Sequence, residues 1–396
     1  MVCMPKRIRI AILLGLAIGG IGCTSDSGPD TSSGGTTEHP ITDRVPYHEQ
    51  AVPVTQKQTL ANLSNPPDVL QTLATVLDDQ RSVDTTRLDV LVEESRGIDI
   101  ISSSPNRLIL LVGNPENRMY EFDLQDGTAT QIASKGSGPG QLKFAQDITR
   151  GDSAIFVAQG DRQIDEFDCR TIPCTYEEST RLRFSPMAVA AARSHHAVVG
   201  SPMLRREGMK MEDWSGAVQM LDADGSIRQS FGRTYQANHF MVLSAYLRNS
   251  SLIYSDTLDQ FVRASEDLPF IWTYKANGSL EFVWSIHTFD PLPIRYFPSE
   301  QRRHKEFQEG FSTLHLQGPI DGRFVIATVR HLGFSSKDSD LTLTGVDYYA
   351  LDLRTDETYY LGRDTPRKGI ADRLFLVTNE HQILVENGTV ALIRPT

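Results

Sequence analysis

The 396-residue chain lacks the marks of several common function classes. It has no stripe of Lys and Arg interleaved with aromatics. Its 39 basic residues stand against 50 acidic ones, for a formal charge of -11. A body of that sign repels phosphate backbones, so no nucleic-acid partner is expected. Glycine-rich Gly136-x-Gly138-x-Gly140 is not followed by Lys-Ser/Thr and is therefore not a phosphate loop. No G-x-S-x-G nucleophile elbow occurs. Asp222-Ala223-Asp224-Gly225 begins like a calcium loop but lacks the later ligands, including the distal Glu, and a hairpin turn explains it better. His195 and His196 are adjacent before a strand, so they point to opposite faces and make no paired metal site. From about residue 86 onward, long amphipathic helices are missing. No cofactor is expected.

Lys6, Arg7 and Arg9 precede an apolar run, Ile10–Ile21, that is shorter than the roughly 20 residues a spanning helix needs. A positive n-region followed by so short an apolar stretch reads as an export signal. The run ends Gly20-Ile21-Gly22-Cys23, which resembles a bacterial lipobox. The resemblance implies cleavage after residue 22 and lipidation of Cys23. Gly20 departs from it, since Leu usually stands there. Thr24, rather than Asp, after the cysteine favours delivery to the outer membrane of the bacterial cell envelope. Residues 23–40, rich in Ser, Thr and Gly, cannot bury a core and read as a flexible tether. Residues 41–85 form a leader. Within it Pro66–Arg81 spaces Val69, Leu70, Leu73, Val76 and Leu77 along one helical face. Packing on the domain and docking on a partner are both open for this helix.

The remaining residues, 86–396, carry a repeat. Its unit is a strand, a tight turn and another strand: MYEFDLQDGTATQIA from Met119, VQMLDADGSIRQSFG from Val218, WTYKANGSLEFVWS from Trp272 and YYALDLRTDETYYLG from Tyr348. Asp126-Gly127, Asp224-Gly225 and Asn277-Gly278 are pairs that accept positive φ, as tight hairpins demand. A strand apolar on both faces precedes each unit: Leu108–Val112, Ala197–Gly200, Leu252–Tyr254 and Phe324–Ala327. Ala154–Ala158 precedes a fifth unit, IDEFDCRTIPCTYEE from Ile164. Such runs suit sheets stacked face to face around an axis. The last unit, residues 373–396, holds three strands, and Arg87–Glu94 is the expected donor of the missing fourth. The fold expected is all-β: a six-bladed β-propeller closed by an N-terminal strand.

KGSGPGQLKF, from Lys135, resembles the linker of NHL-type propellers, and Asn117–Phe122 and Asp161–Phe167 resemble that family's N-R-hydrophobic-x-x-F strand. The likeness covers residues 97–185 clearly and implies the broad group of six-bladed propeller lipoproteins and secreted propellers. Cys169 and Cys174 bracket Arg170-Thr171-Ile172-Pro173 where other units place their outer turn. Residues flanking so short a turn reach disulfide range, and export permits the bond. A metal pair would need two further Cys or His at matching spacing, and none is near.

Three long insertions are expected to leave one end of adjacent blades as lids: Ser201–Gly216, Asp256–Pro269 and Arg330–Thr344. A fourth, Asp290–Gly310, joins two blades and is set apart from them. Met203, Met209, Met211 and Trp214 in the first lid suit an adaptable apolar contact. Packing onto the blade beneath is the alternative. The function expected is a lipid-anchored binding or scaffold module that recognises a protein, peptide or glycan through its loops. The alternative is a metal-dependent hydrolase or lyase in the channel, for which His239, His315, His331 and His381 lie in different units at unequal offsets. A structural subunit held through the leader helix is a third reading.

Overall fold

The computed structural model describes residues 36–38, 44–63, 66–78, 84–91, 98–104, 106–193, 195–201, 216–236, 240–291, 294–297, 302–305, 310–334, 341–364, 373–376, 382–386 and 389–394. Five antiparallel sheets are each built from four consecutive strands. Blade 1 holds Ile98–Ser104, Arg107–Val112, Arg118–Asp123 and Ala129–Lys135. Blade 2 holds Ala145–Arg150, Ala154–Gln159, Gln163–Asp168 and Thr175–Arg181. Blade 3 holds Ser185–Ala192, His195–Ser201, Val218–Leu221 and Ile227–Phe231. Blade 4 holds Ser250–Ser255, Gln260–Ser265, Phe270–Lys275 and Leu280–Ile286. Blade 5 holds Gly310–Ile320, Phe324–Phe334, Leu341–Asp352 and Thr358–Asp364. The first strands of successive blades touch one another in chain order, so they form the inner layer and the fourth strands the rim.

The expectation of six like blades is corrected to five. The remaining four-stranded sheet is composite: Arg373–Leu376, Gln382–Glu386 and Thr389–Arg394 are completed by Asp84–Leu91 from the other end of the chain. Thr389 lies opposite Leu91 and Arg394 opposite Asp84. The donor strand is thus the expected one, starting three residues earlier than Arg87. Its outer position leaves Asp84–Leu91 near Ala129–Lys135 of blade 1, and Arg373–Leu376 lies near Gly310–Ile320 of blade 5.

Apolar layers fill the gaps between blades. Ile109 and Met119 meet Ile148, Val157 and Phe167 between blades 1 and 2. Phe156, Val198, Phe231, Phe261 and Trp272 share a core spanning blades 2 to 4. Val262, Trp284, Leu314, Val325 and Tyr349 fill the space between blades 4 and 5. A strand between two such layers must be apolar on both faces. Gln260–Ser265 is buried throughout, with Phe261 in one layer and Val262 in the next.

The tight turns behave as their residues demand. Gly127, Gly225 and Gly278 have φ of 73, 79 and 84°. A Cβ on Gly225 would sit 2.7 Å from the Arg181 carbonyl of the preceding blade. The blade 1 to blade 2 linker is equally constrained. Gln141 Oε1 accepts the Gly138 N–H at 2.9 Å, and a Cβ on Gly136 would lie 2.0 Å from that oxygen. The glycines therefore serve a packed turn.

The leader straps the rim. Trp272 Nε1 donates to the Pro46 carbonyl at 3.0 Å. Val52–Val54 adds a parallel strand to the outer edge of blade 4, and the Tyr360 N–H of blade 5 bonds the Gln58 carbonyl at 2.8 Å. Helix α1, Asp68–Asp78, then packs on the other face of blade 5, with Leu70 and Leu73 fully buried among Ile326, Tyr348, Ala350 and Leu361. Burying each leucine stabilises by about 2 kcal/mol. Packing on the domain is the outcome for the expected helix, and it takes up the described part of its apolar face. Among the described residues, no helix is long and apolar enough to cross a membrane.

Candidate functional site

Antiparallel order sorts the connections to two ends of the blades. First-to-second and third-to-fourth connections lie at one end, the turn end. Second-to-third and blade-to-blade connections lie at the other, the insertion end. The second strand of blade 3 ends at Ser201 and its third begins at Val218, so both open toward the insertion end; residues 202–215 of the first expected lid lie outside the described residues. The second expected lid is corrected. Residues 256–269 contain the buried second strand of blade 4, and only the Asp256–Asp259 turn and the short Glu266–Pro269 connection remain. Leu252–Tyr254 accordingly belongs to the first strand of that blade. The third expected lid is largely strand: residues 324–334 and 341–352 prolong a ladder in which Phe334 lies opposite Leu341. The connection set apart, 290–310, joins blade 4 to blade 5 and therefore leaves the insertion end as well. It contributes the hairpin Ile294–Phe297 and Arg302–Lys305, and Thr36–Glu38 pairs onto its first strand. Those three residues lie inside the expected tether, because backbone pairing needs no apolar side chain.

A second helix also belongs to this end. Helix α2, Phe240–Arg248, connects blades 3 and 4 and buries Val242, Leu243, Tyr246 and Leu247 against them. The spacing of those four residues along one helical face is the signal in the sequence for this helix.

Buried polar side chains pin the insertion end. The Asn117 amide, in the second-to-third connection of blade 1, accepts the Ala145 N–H of blade 2 at 2.9 Å. Gln159 accepts the Lys143 N–H at 2.7 Å and donates to Asp165. Asp165 also accepts from Ser179, its opposite residue on the fourth strand, and from Gln163 at 3.0 Å. Burial raises the Asp165 pKa, and these donors oppose the rise. Gln219 of blade 3 repeats the device with Ser230, again its cross-strand partner.

Blade 5 carries the longest such chain. Asp347, fully buried on the third strand, meets His331 Nε2 at 2.9 Å. It also accepts from Tyr360 Oη at 3.1 Å and Gln56 Nε2 at 3.4 Å, and Arg363 Nε lies 3.8 Å away. His331 Nδ1 is 3.0 Å from Ser312 Oγ. The imidazole thus bridges the Ser312 hydroxyl and the Asp347 carboxyl, its donor and acceptor roles set by the tautomer. Burial, and next the Asp347 charge, raise the Tyr360 pKa. Burial pushes the neighbouring Tyr349, whose hydroxyl is 2.9 Å from Thr288 Oγ1, up to about 12. Ser, His and Asp in this order have the chemical types of a nucleophilic triad. Ser312, however, is fully buried and its Oγ already accepts the Asp290 N–H at 3.1 Å. Its nucleophile is sealed from substrate, so the chain acts as a clasp joining all four strands of blade 5, the leader and the crossover from blade 4.

The expected site residues divide accordingly. Cys23, Met203, Met209, Met211 and Trp214 lie outside the described residues, as do His239 and His381. Cys169 and Cys174 are joined, with Cα atoms 4.3 Å apart. Their turn docks on blade 1, where Glu121 accepts the Cys174 N–H at 2.9 Å and the Arg107 guanidinium at 3.0 Å. A loop so short contributes about 2 kcal/mol through its closure entropy. His196 is half-buried against Phe156, ring centroids 4.0 Å apart, and partial burial followed by the charge of His195 lowers its pKa to about 4. His195 instead approaches Arg228, at 2.5 Å. His315 lies 3.4 Å from Ser251, and it shares blade 5 with His331. Among the described residues, no group of three or more His, Cys, Asp or Glu is placed to hold a metal.

Sheets stacked through their faces, inner strands in chain order and a rim of fourth strands define an all-β propeller. Two solved structures are similar to it. One is an exported protein of Bacteroides fragilis NCTC 9343, with a TM-score of 0.51 and 12% identity over 80% of this chain and 95% of that one. The other is a member of the DUF4221 family from Bacteroides vulgatus, with a TM-score of 0.53 and 10% identity over 79% of this chain and 96% of that one. At such identities the likeness is one of fold. No family model and no curated protein matches the chain.

Proposed function

We propose that this protein is an extracytoplasmic binding or scaffold module, anchored by lipid at Cys23 to the bacterial cell envelope, on the outer membrane. Its propeller recognises a protein, peptide or glycan at the insertion end. In this reading the composite sheet made by the two chain ends closes the ring beside the five blades, and residues 1–22 are the export signal. The observation that carries the reading is the gathering of described inserted elements at one end: helix α2, the paired strands Ile294–Phe297 and Arg302–Lys305 and the prolonged ladder of blade 5. Loops on a rigid scaffold are where binding groups concentrate. The exported neighbour of the same fold supports the location. Met203, Met209, Met211 and Trp214 would supply the adaptable apolar contact.

A photoreactive amino acid placed at Trp214, and as control at Asp126 of the turn end, tests the reading in the native envelope. Adducts from position 214 alone are expected. Equal labelling from both positions, or none from 214, would overturn it.

A further inference from the structure

We propose that a cleft at the insertion end, between the leader and the connection from blade 3 to blade 4, binds a uronic acid residue of an acidic glycan. The proposal rests on the binding reading above, takes up its glycan branch and gives it a site apart from residues 203–214. The cleft measures about 240 Å³ and is walled by residues 45–50 of the leader and by Arg233 and Gln236 of the connection. Clefts that hold a drug-sized ligand run to roughly 300–1,000 Å³, so this one admits a single residue of a longer chain.

The walls are fixed in place. The Gln236 N–H donates to the Arg44 carbonyl at 2.9 Å. Trp272 Nε1 holds the Pro46 carbonyl, and the Gln50 and Ala51 N–H groups close a tight turn on Tyr47 and His48. Tyr47 stands at φ 63°, a left-handed backbone that a tyrosine adopts only where its surroundings impose it. The Arg233 guanidinium lies 5.2 Å from the centroid of the Tyr47 ring.

Charge selects the ligand. Arg233 is exposed, and a second arginine lies deeper. Arg263 is only 3% exposed, its guanidinium covers the ring of the same Trp272 at 5.0 Å, and its Nε has no hydrogen-bond partner. Nor has the fully buried Tyr274 hydroxyl, which a Cβ on Gly232 of the connection would approach to 2.9 Å. Among the described residues no carboxylate pairs with either arginine. A buried cation without a counter-ion sets up a positive potential that its surroundings screen little. Glu49 is the one acid in the walls. In a chain of formal charge -11, this cleft therefore favours an anion, and the planar Arg233 guanidinium matches a carboxylate. The other wall residues decide what carries that carboxylate. His48, Glu49, Gln50 and Gln236 offer donors and acceptors together, while the aliphatic Val45 and Pro46 are buried. Sugar hydroxyls find partners there, whereas the side chain of a peptide's terminal residue finds no apolar socket.

Calorimetric titration of the purified full chain compares glucuronate and galacturonate with glucose and with glutamate. One of the uronates should bind about 10-fold more tightly than either control. Arg233→Gln should weaken that binding about 30-fold, the loss of a charge-assisted contact. Arg263→Met keeps the apolar bulk and removes the buried charge, and should weaken it about 10-fold through the field alone, with Arg263→Lys restoring it. Arg233→Gln alters an exposed side chain, so it decides the matter even where Arg263→Met lowers the melting temperature. Equal binding of glucose, tighter binding of glutamate, or uronate binding unchanged in Arg233→Gln would overturn the proposal. Crosslinked adducts from position 214 without uronate binding sink this cleft alone. Uronate binding without such adducts sinks the contact at Met203–Trp214 and leaves the cleft standing.

Discussion

At the turn end the chain reverses within a few residues, on Asp-Gly or Asn-Gly pairs whose glycines take positive φ. At the insertion end it travels further and returns. There its backbone is held by buried polar side chains that reach across strands and blades: Asn117 to Ala145, Gln159 to Lys143 and Asp165, Ser312 through His331 to Asp347. A tight turn satisfies its own hydrogen bonds, so local residues are enough to specify it. A long connection that starts or ends on a buried strand exposes polar groups to an apolar layer and needs partners brought from elsewhere. The contrast separates where this protein keeps its shape from where it has room for a binding surface.

The largest effect that would sharpen the contrast is expected at Asp347. Asp347→Ala removes the acceptor shared by His331, Tyr360 and Gln56, and leaving such groups buried and unpaired costs about 4 kcal/mol. Urea unfolding measures it. A loss under about 1 kcal/mol would mean that the insertion end is held by packing alone.

The two ends should also respond to acid with opposite sign. His196, beside the turn between the first two strands of blade 3, has a folded pKa lowered to about 4 against 6.5 for the free ring. Its contribution to stability is therefore present above about pH 6.5 and is lost as pH falls toward 4, in all about 3 kcal/mol. Asp165, at the insertion end, has a folded pKa raised by burial. Its contribution is present below the unfolded value and lost as pH rises through the folded one. Melts between pH 7 and 4 should show wild type falling on the acid side and His196→Phe keeping more of its stability. An unchanged acid limb in His196→Phe would place the pH dependence elsewhere.

A smaller effect compares two turns of the same kind. Gly225→Ala meets both an unfavourable φ of 79° and the Arg181 carbonyl, whereas Gly127→Ala, at φ 73°, meets open space. Losses of about 3 and about 1 kcal/mol are expected, respectively, from thermal or urea unfolding. Equal losses would show that conformation alone, and not seating on the preceding blade, decides these turns.

Much of this division was legible beforehand. The Asp126-Gly127, Asp224-Gly225 and Asn277-Gly278 pairs mark hairpins because the required φ is a property of the residue itself. The disulfide at Cys169 and Cys174 and the completing strand near Arg87 followed from position within the repeat. What misled was the blade 4 segment from Asp256. Gln260 and Arg263 are polar, yet both are buried, so the strand they occupy read as a loop. The Phe240–Arg248 helix is short, and its one signal is the helical spacing of Val242, Leu243, Tyr246 and Leu247.

By itself, then, the amino-acid order determined the elements whose signal is local, namely tight turns, doubly apolar strands and the leader helix, while the pairing of the two chain ends followed from counting strands in the repeat. Only the tertiary structure decided which end each connection leaves, because that follows from the antiparallel order of strands once the second strand of blade 4 is recognised. It also decided that Ser312, His331 and Asp347, scattered over 36 positions of the chain, meet in one closed clasp. Contacts between residues far apart in sequence depend on register and on the faces that sheets turn to one another, and no local pattern of residue types carries that information.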